Sequence, residues 1–204
     1  MSLAFRATGL DIITSYCFAK SNNALDANDF QNDILLGMEP TIHIFWIFKH
    51  FPLVRYLILN SPDWLALRMS PHSKGVVDQR KQLEGQIDAI LANPASLEDA
   101  EHETIYHHFL NPQTGKEHNP MPSRKALLDE AFSLRFAGSD TVGNTCTVGI
   151  THVLRNEHVH TTLISELDKF WPDRDSTMSY ENLEKLPYLV SPVFFHICTV
   201  AVLN

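Results

Sequence analysis

Cysteine is scarce in this chain, 3 in 204 residues, at positions 17, 146 and 198. The number is odd and no pair has the spacing of metal ligands. The three read as reduced thiols, and the chain as intracellular. Positive charge is in deficit, with 16 Lys+Arg against 24 Asp+Glu and a formal net charge of -8. That balance repels a phosphate backbone and argues against nucleic acid as a partner. No apolar run reaches the ~20 residues of a membrane-spanning helix. The most apolar stretch, Thr41 to Leu59, is interrupted by His43, Lys49, His50, Pro52 and Arg55. The first ten residues have neither a charged start followed by a long apolar run nor a small-residue cleavage site, so no secretory signal and no anchor are expected in this chain. Internal repeats, low-complexity tracts and alternating Val/Ile strands with hairpin turns are all lacking, which leaves a mainly α reading.

What is present suits one or at most two globular domains: 44% hydrophobic and 20% charged residues. Leu3, Ala7, Leu10, Ile13 and Cys17 recur by fours and threes and predict a helix over 3–20. A second helix is predicted from Phe30 to Glu39, ended by Pro40. The run Ile42 to Phe48 reads either as a buried helix end or loop, or as a surface that dips into a membrane or lines a ligand entrance. Val76, Leu83, Ile87, Ile90 and Leu91 form the stripe of an amphipathic helix stopped at Asn93-Pro94. Residues 94–122 hold four prolines and read as connecting structure with a short helix around Glu103 to Leu110.

The most informative stretch runs from Ser123, a predicted N-cap, to Arg155. Its periodicity predicts a single helix of about 48 Å at 1.5 Å per residue. The apolar-to-small stripe is Leu127, Ala131, Leu134, Gly138, Thr141, Thr145, Val148 and His152. At its centre lies Ala137-Gly138-Ser139-Asp140-Thr141-Val142-Gly143-Asn144-Thr145, a run of poor helix formers in which each glycine costs about 1 kcal/mol relative to alanine. So thin a waist leaves a void unless something fills it. Either a neighbouring helix packs closely there, or a flat ligand lies against the small face with the Thr141 hydroxyl and the Asp140 carboxylate at its edge.

Ala137 to Thr141 reproduces A-G-x-D-T, and in it the chain resembles the long central helix of the cytochrome P-450 monooxygenases. The context follows in order: Leu154-Arg155-Asn156-Glu157 with Leu163 to Leu167 resembles the family's next helix. Ser179 to Leu189 resembles the approach to its E-x-x-R helix, Phe5 to Phe18 an earlier helix of fungal members, and Phe45 to Leu59 their membrane-facing substrate access region. The resemblance implies the central helical part of that fold, built around one long helix at about 123–155. It also implies a haem (iron) cofactor, insertion of one oxygen atom from O₂ into a lipophilic organic molecule, and an NADPH-cytochrome P-450 reductase partner. The parent family works at the endoplasmic reticulum membrane, and peripheral contact through Thr41 to Leu59 is expected. Thr141 is implied in oxygen activation, Asp140 in proton relay, and Ala137 and Gly138 in close approach of the cofactor; no metal ligand is assigned.

Departures from the family pattern are equally specific. Aligned from Leu186-Pro187-Tyr188-Leu189, the Glu and Arg of E-x-x-R fall on Phe195 and Cys198, which cannot form a charge-assisted pair. The neighbours of Cys198 do not match the family's haem-ligand loop. Residues 1–189 therefore read as a partial cytochrome P-450 domain and 190–204 as a non-family tail. The abrupt change after Leu189 fits a retained intron, since Val190-Ser191 can be encoded by a splice-donor sequence. The isolated chain is expected to be inactive. The alternative is a non-catalytic helical remnant that associates with lipids or protein partners. A phosphate loop is disfavoured because Asn144 stands where G-x-x-x-x-G-K-[ST] needs lysine. A zinc helix is disfavoured because Tyr106 occupies the second histidine position after His102-Glu103.

Overall fold

A computed structural model describes residues 1–59, 61, 62, 68, 73–110, 122–173 and 175–190, with the backbone alone at 39–45, 59, 73 and 76. The described residues are helical, without strands. Among them are the α-helices α1 (Ser2–Phe18), α2 (Asp33–His50), α3 (Pro52–Leu59), α4 (Ser73–Ala92), α5 (Ile105–Leu110), α6 (Arg124–Arg155), α7 (Glu157–Phe170) and α8 (Tyr180–Leu183). The chain divides into two compact units, Met1–Gly143 and Asn144–Asn204. Phe195, Cys198 and the rest of the proposed tail from 191 lie outside the described residues, as do 111–121 of the proline-containing connection.

In the first unit, α1 and α4 to α6 share a core of Phe18, Leu83, Ile87, Tyr106, Leu127 and Ala131. A second core joins α1 to α2 through Ala7, Leu10, Leu35 and Met38, with Ala24 from the turn between them. That turn is fastened by Asp11. One carboxylate oxygen accepts from the Ala24 N–H at 2.8 Å and the other from the Leu25 N–H at 3.0 Å. Removing both acceptors leaves two backbone donors short of partners, so Asp11→Ala is expected to cost about 1–2 kcal/mol in urea unfolding, and Asp11→Asn less.

The expected stop at Pro40 does not occur. α2 runs on to His50: the apolar sequence that continues on both sides outweighs the local cost of an interior proline. The start of α2 is capped by Asn32, whose side chain accepts from the Ile34 N–H. Farther on, Gly75 of α4 lies against the start of α2, and a Cβ there would collide with the Asp33 carbonyl. Ser123 caps α6 as expected, accepting from the Ala126 N–H at 3.2 Å. His107 ties the connection between α4 and α5: one ring nitrogen accepts from the Thr104 N–H and the other meets the Leu97 carbonyl, both at 2.9 Å. His102 is held as well, its Nε2 2.9 Å from the Tyr16 carbonyl oxygen; no metal-holding cluster of His, Cys, Asp or Glu occurs among the described residues.

In the second unit, Glu166 of α7 receives the backbone N–H groups of Tyr188 and Leu189 at 2.9 and 2.8 Å. The carboxylate thereby caps the helical turn 187–190, whose first N–H groups have no intrahelical acceptor. The Trp171 indole N–H reaches the Ser176 carbonyl at 3.1 Å and closes the loop after α7.

Candidate functional site

The long helix α6 is unbroken over 32 residues despite its glycines, and the first unit shows what supports it. The buried row is Leu127, Ala131, Arg135, Ser139 and Gly143, at strict steps of four. The alternating four-three stripe expected from sequence therefore splits: its first half is covered, whereas Thr141 and Thr145 are exposed. A four-residue row is the ridge along which two helices interlock at close range. Arg135, absent from the sequence stripe, occupies that ridge.

Helix α1 crosses at the waist. A Cβ on Gly9 would stand 3.0 Å from the Gly138 carbonyl oxygen and 3.2 Å from that of Ser139. A Cβ on Gly138 would meet Ile13 at 2.5 Å. One on Gly143 would run into the Arg6 side chain and into its backbone, at 2.7 Å from Cα and 2.8 Å from N. Ser139 is fully buried and donates its hydroxyl to the Arg6 carbonyl at 3.2 Å. Both glycines of the waist thus serve a helix-helix contact, the first of the two alternatives left open by the sequence.

The opposite side of the same turns is uncovered. Ala137 and Thr141 are exposed and lie one turn apart, with the Thr141 hydroxyl donating to the Ala137 carbonyl at 2.6 Å. This back-bond satisfies the hydroxyl proton within the helix and leaves the oxygen lone pairs for an outside donor. Asp140 stands between the covered and the open sides. Its carboxylate is 2.8 Å from an Arg6 guanidinium nitrogen, with side-chain exposures of 24% and 8%. That pair is held by the crossing, since Arg6 is the residue seated on Gly143. A low local dielectric strengthens such an ion pair.

The sequence-derived residues therefore separate. Ala137, Asp140 and Thr141 share or border an open surface, whereas Gly138 faces Ile13. An alanine and a back-bonded threonine project little from the helix, so the open surface is low at these two positions. Among the thiols, Cys17 is buried in the core beside Phe18, and burial pushes its thiol upward. Cys146 is half-buried on α6, and Cys198 lies outside the described residues.

Sequence reasoning missed Arg6, Gly9 and Arg135. Arg6 precedes Ala7 on the apolar side of α1, and Arg135 follows Ala131 by four. A charged side chain at a core position was the available signal in both.

The described residues are thus mainly helical and organised along one long helix, thin at its middle, that carries the Ala137-Gly138-Ser139-Asp140-Thr141 segment. The cytochrome P-450 family profile matches residues 2–193, and the chain belongs to that family. Among curated relatives, it is 31% identical over 198 residues to the cytochrome P-450 monooxygenase macH of Penicillium terrestre, covering 95% of this chain and 38% of that protein. It is 28% identical to sol6 of Alternaria solani, covering 93% of this chain and 40% of that monooxygenase. The figures for claJ of Penicillium crustosum are 27%, 95% and 44%. The chain spans about two fifths of the length of these relatives. No solved structure matches it.

Proposed function

We propose that the chain is the middle of a haem-thiolate monooxygenase that, as a whole protein, inserts one oxygen atom from O₂ into a lipophilic organic substrate. Its electrons would come from an NADPH-cytochrome P-450 reductase, at the endoplasmic reticulum membrane. The observation that carries this reading is the open surface at Ala137 and Thr141 on a helix whose other side meets α1 at Gly138, Ser139 and Gly143. Haem, when bound, supplies the activation of O₂. Ala137 offers that group a low surface. Gly138 contributes from the far side, by admitting Ile13 so that α1 fixes the helix. The Thr141 hydroxyl, anchored on the Ala137 carbonyl, presents its oxygen to the open face and can accept a hydrogen bond from a donor there. Asp140 is the adjoining carboxylate, held at the shoulder by Arg6, and positioned acid-base groups of this kind contribute about 10²–10⁴-fold to a rate.

The 204-residue chain alone is not expected to turn over, because no cysteine in it sits in the family's haem-ligand pattern. After haem supplementation, reduction and CO treatment, its absorption spectrum is expected to lack a thiolate-type Soret band; the presence of that band would overturn the inactivity. In a hybrid carrying residues 1–189 within a full-length relative, Thr141→Ala is expected to lower product formation at least about tenfold with haem content unchanged. Equal rates would remove Thr141 from the mechanism. The 189/190 boundary rests on the break in sequence character there, and a spliced transcript encoding the same C-terminus would contradict a retained intron.

A second reading, a non-catalytic helical remnant, draws on the apolar surface of α3. Leu53, Tyr56 and Leu57 are each at least 60% exposed. Peripheral membrane contact through Thr41 to Leu59 is compatible with both readings. No helix among the described residues is long and apolar enough to cross a membrane.

A further inference from the structure

We infer that Glu166 is a positioning residue: from α7, its carboxylate fixes the start of the helix that begins at Pro187, and through that helix the part of the whole monooxygenase that ligates haem. The inference rests on the function proposed above, since the resemblance makes this the E-x-x-R helix and places the haem-ligand loop beyond it.

Every backbone donor at this helix start is accounted for. Residues 187–190 are helical, and Leu186, just before them, is 4% exposed. A helix start leaves its first N–H groups without intrahelical acceptors, and the side chain at the cap ordinarily takes one of them. Leucine at the cap has no acceptor to offer. Pro187, the first helical residue, has no N–H to satisfy. The Val190 N–H donates to the Leu186 carbonyl at 3.1 Å, the first bond of the helix itself. That leaves Tyr188 and Leu189, and each donates to a separate oxygen of Glu166, at 2.9 and 2.8 Å. The cap that the local sequence lacks is thus supplied by a half-buried side chain of another helix.

This arrangement aligns as well as caps. A carboxylate committed through both oxygens to successive N–H groups fixes the direction of a helix together with its position. Its negative charge also lies at the positive end of the helix dipole. In the whole protein, the chain beyond 190 takes its course from this start, and α7 sets it.

Amide hydrogen exchange in the 204-residue chain and haem ligation in the hybrid carrying residues 1–189 test the two halves. In the chain, Glu166→Ala is expected to speed exchange at Tyr188 and Leu189 at least about tenfold, the worth of one hydrogen bond to a charged acceptor. Glu166→Gln keeps one acceptor oxygen but turns an amide donor toward the second N–H, so a smaller rise is expected. In the hybrid, the thiolate-type share of the CO-bound Soret absorption is expected to fall in the order parent, Gln, Ala, by at least about half in the last. Glu184→Ala removes the same charge from an exposed position three residues before Pro187, and it is expected to change neither reading. Unchanged exchange in Glu166→Ala would overturn the cap. Faster exchange with an undiminished thiolate-type share would overturn the positioning role, and so would an equal loss in Glu184→Ala. A parent hybrid without the thiolate-type band would overturn the proposed function, and this inference with it.

Discussion

Gly143→Ala is expected to unseat α1 from α6 and destabilise the chain by about 3 kcal/mol or more. The added methyl would meet Arg6 backbone atoms, and a backbone cannot rotate aside as a side chain does. The same crossing bears the Arg6–Asp140 ion pair and the Ser139 hydrogen bond, so parting the helices breaks these as well. Gly138→Ala is a milder change. Its nearest contacts would be Ile13 Cγ1, Cβ and Cδ1; Cγ1 and Cδ1 can rotate aside, Cβ moves only with the backbone of α1, and the gain of about 1 kcal/mol in helix propensity offsets part of the cost. Gly85 of α4 has nothing within 4 Å of its Cβ position, so Gly85→Ala is expected to stabilise by about 0.5–1 kcal/mol. Urea midpoints should therefore fall in the order Gly85→Ala, parent, Gly138→Ala, Gly143→Ala. A neutral Gly143→Ala would mean that the helices do not cross at this point.

Arg135→Met is expected to act in the opposite direction and raise stability by about 1–3 kcal/mol. Arg135 is 1% exposed and has no ion pair with a carboxylate among the described residues. One guanidinium nitrogen donates to the Gln82 side-chain oxygen at 3.3 Å, the group lies 5.3 Å from the centre of the Phe18 ring, and its Nε has no acceptor. Burial pushes the guanidinium down to about 10. It is still charged at neutral pH, and a depression of that size corresponds to a burial cost of roughly 3 kcal/mol. Burial also drives the neighbouring Tyr106 phenol well above its ordinary range. Its hydroxyl likewise has no hydrogen-bond partner, so the phenol is neutral and gives the cation no counter-charge. Methionine keeps the length and flexibility of the stem and abolishes the charge, the kind of replacement that is neutral to stabilising for buried ions. Arg135→Lys keeps the charge and changes the cation's contact with the Phe18 ring, so no gain is expected from it. A lower melting temperature for Arg135→Met would show that the guanidinium has compensation beyond Gln82 and Phe18.

The helices were legible where apolar residues recur at helical spacing against polar neighbours, as in α1, α4 and α6. The N-cap at Ser123 and the stop at Asn93 were equally plain. Pro40 misled because proline weighs heavily as a local signal, whereas the continuation of α2 is decided by the whole apolar segment around it. At the waist, the sequence showed that side-chain volume was missing but not on which side it would be made up. Gly138 and Thr141 were placed on one stripe, yet 3 residues at 100° each turn them about 60° apart. That angle separates a glycine pressed on Ile13 from a threonine open to the surroundings. Arg6 and Arg135 escaped because charged residues are rarely core residues. Their burial follows from three-dimensional neighbours that lie far off in the sequence: Asp140 for Arg6, and Phe18 and Gln82 for Arg135.

The central claim is that the Ala137–Thr141 face of α6 is the seat of a flat cofactor, distinct from the glycine face that seats α1. Haem content per chain in the hybrid protein, measured for Ala137→Phe beside the unsubstituted hybrid, tests it most directly. Ala137 is exposed in the chain itself, so a phenyl ring there should leave the helical spectrum intact yet stand where the porphyrin would lie. The account predicts a folded protein with little or no bound haem. Full haem occupancy in that variant would contradict it.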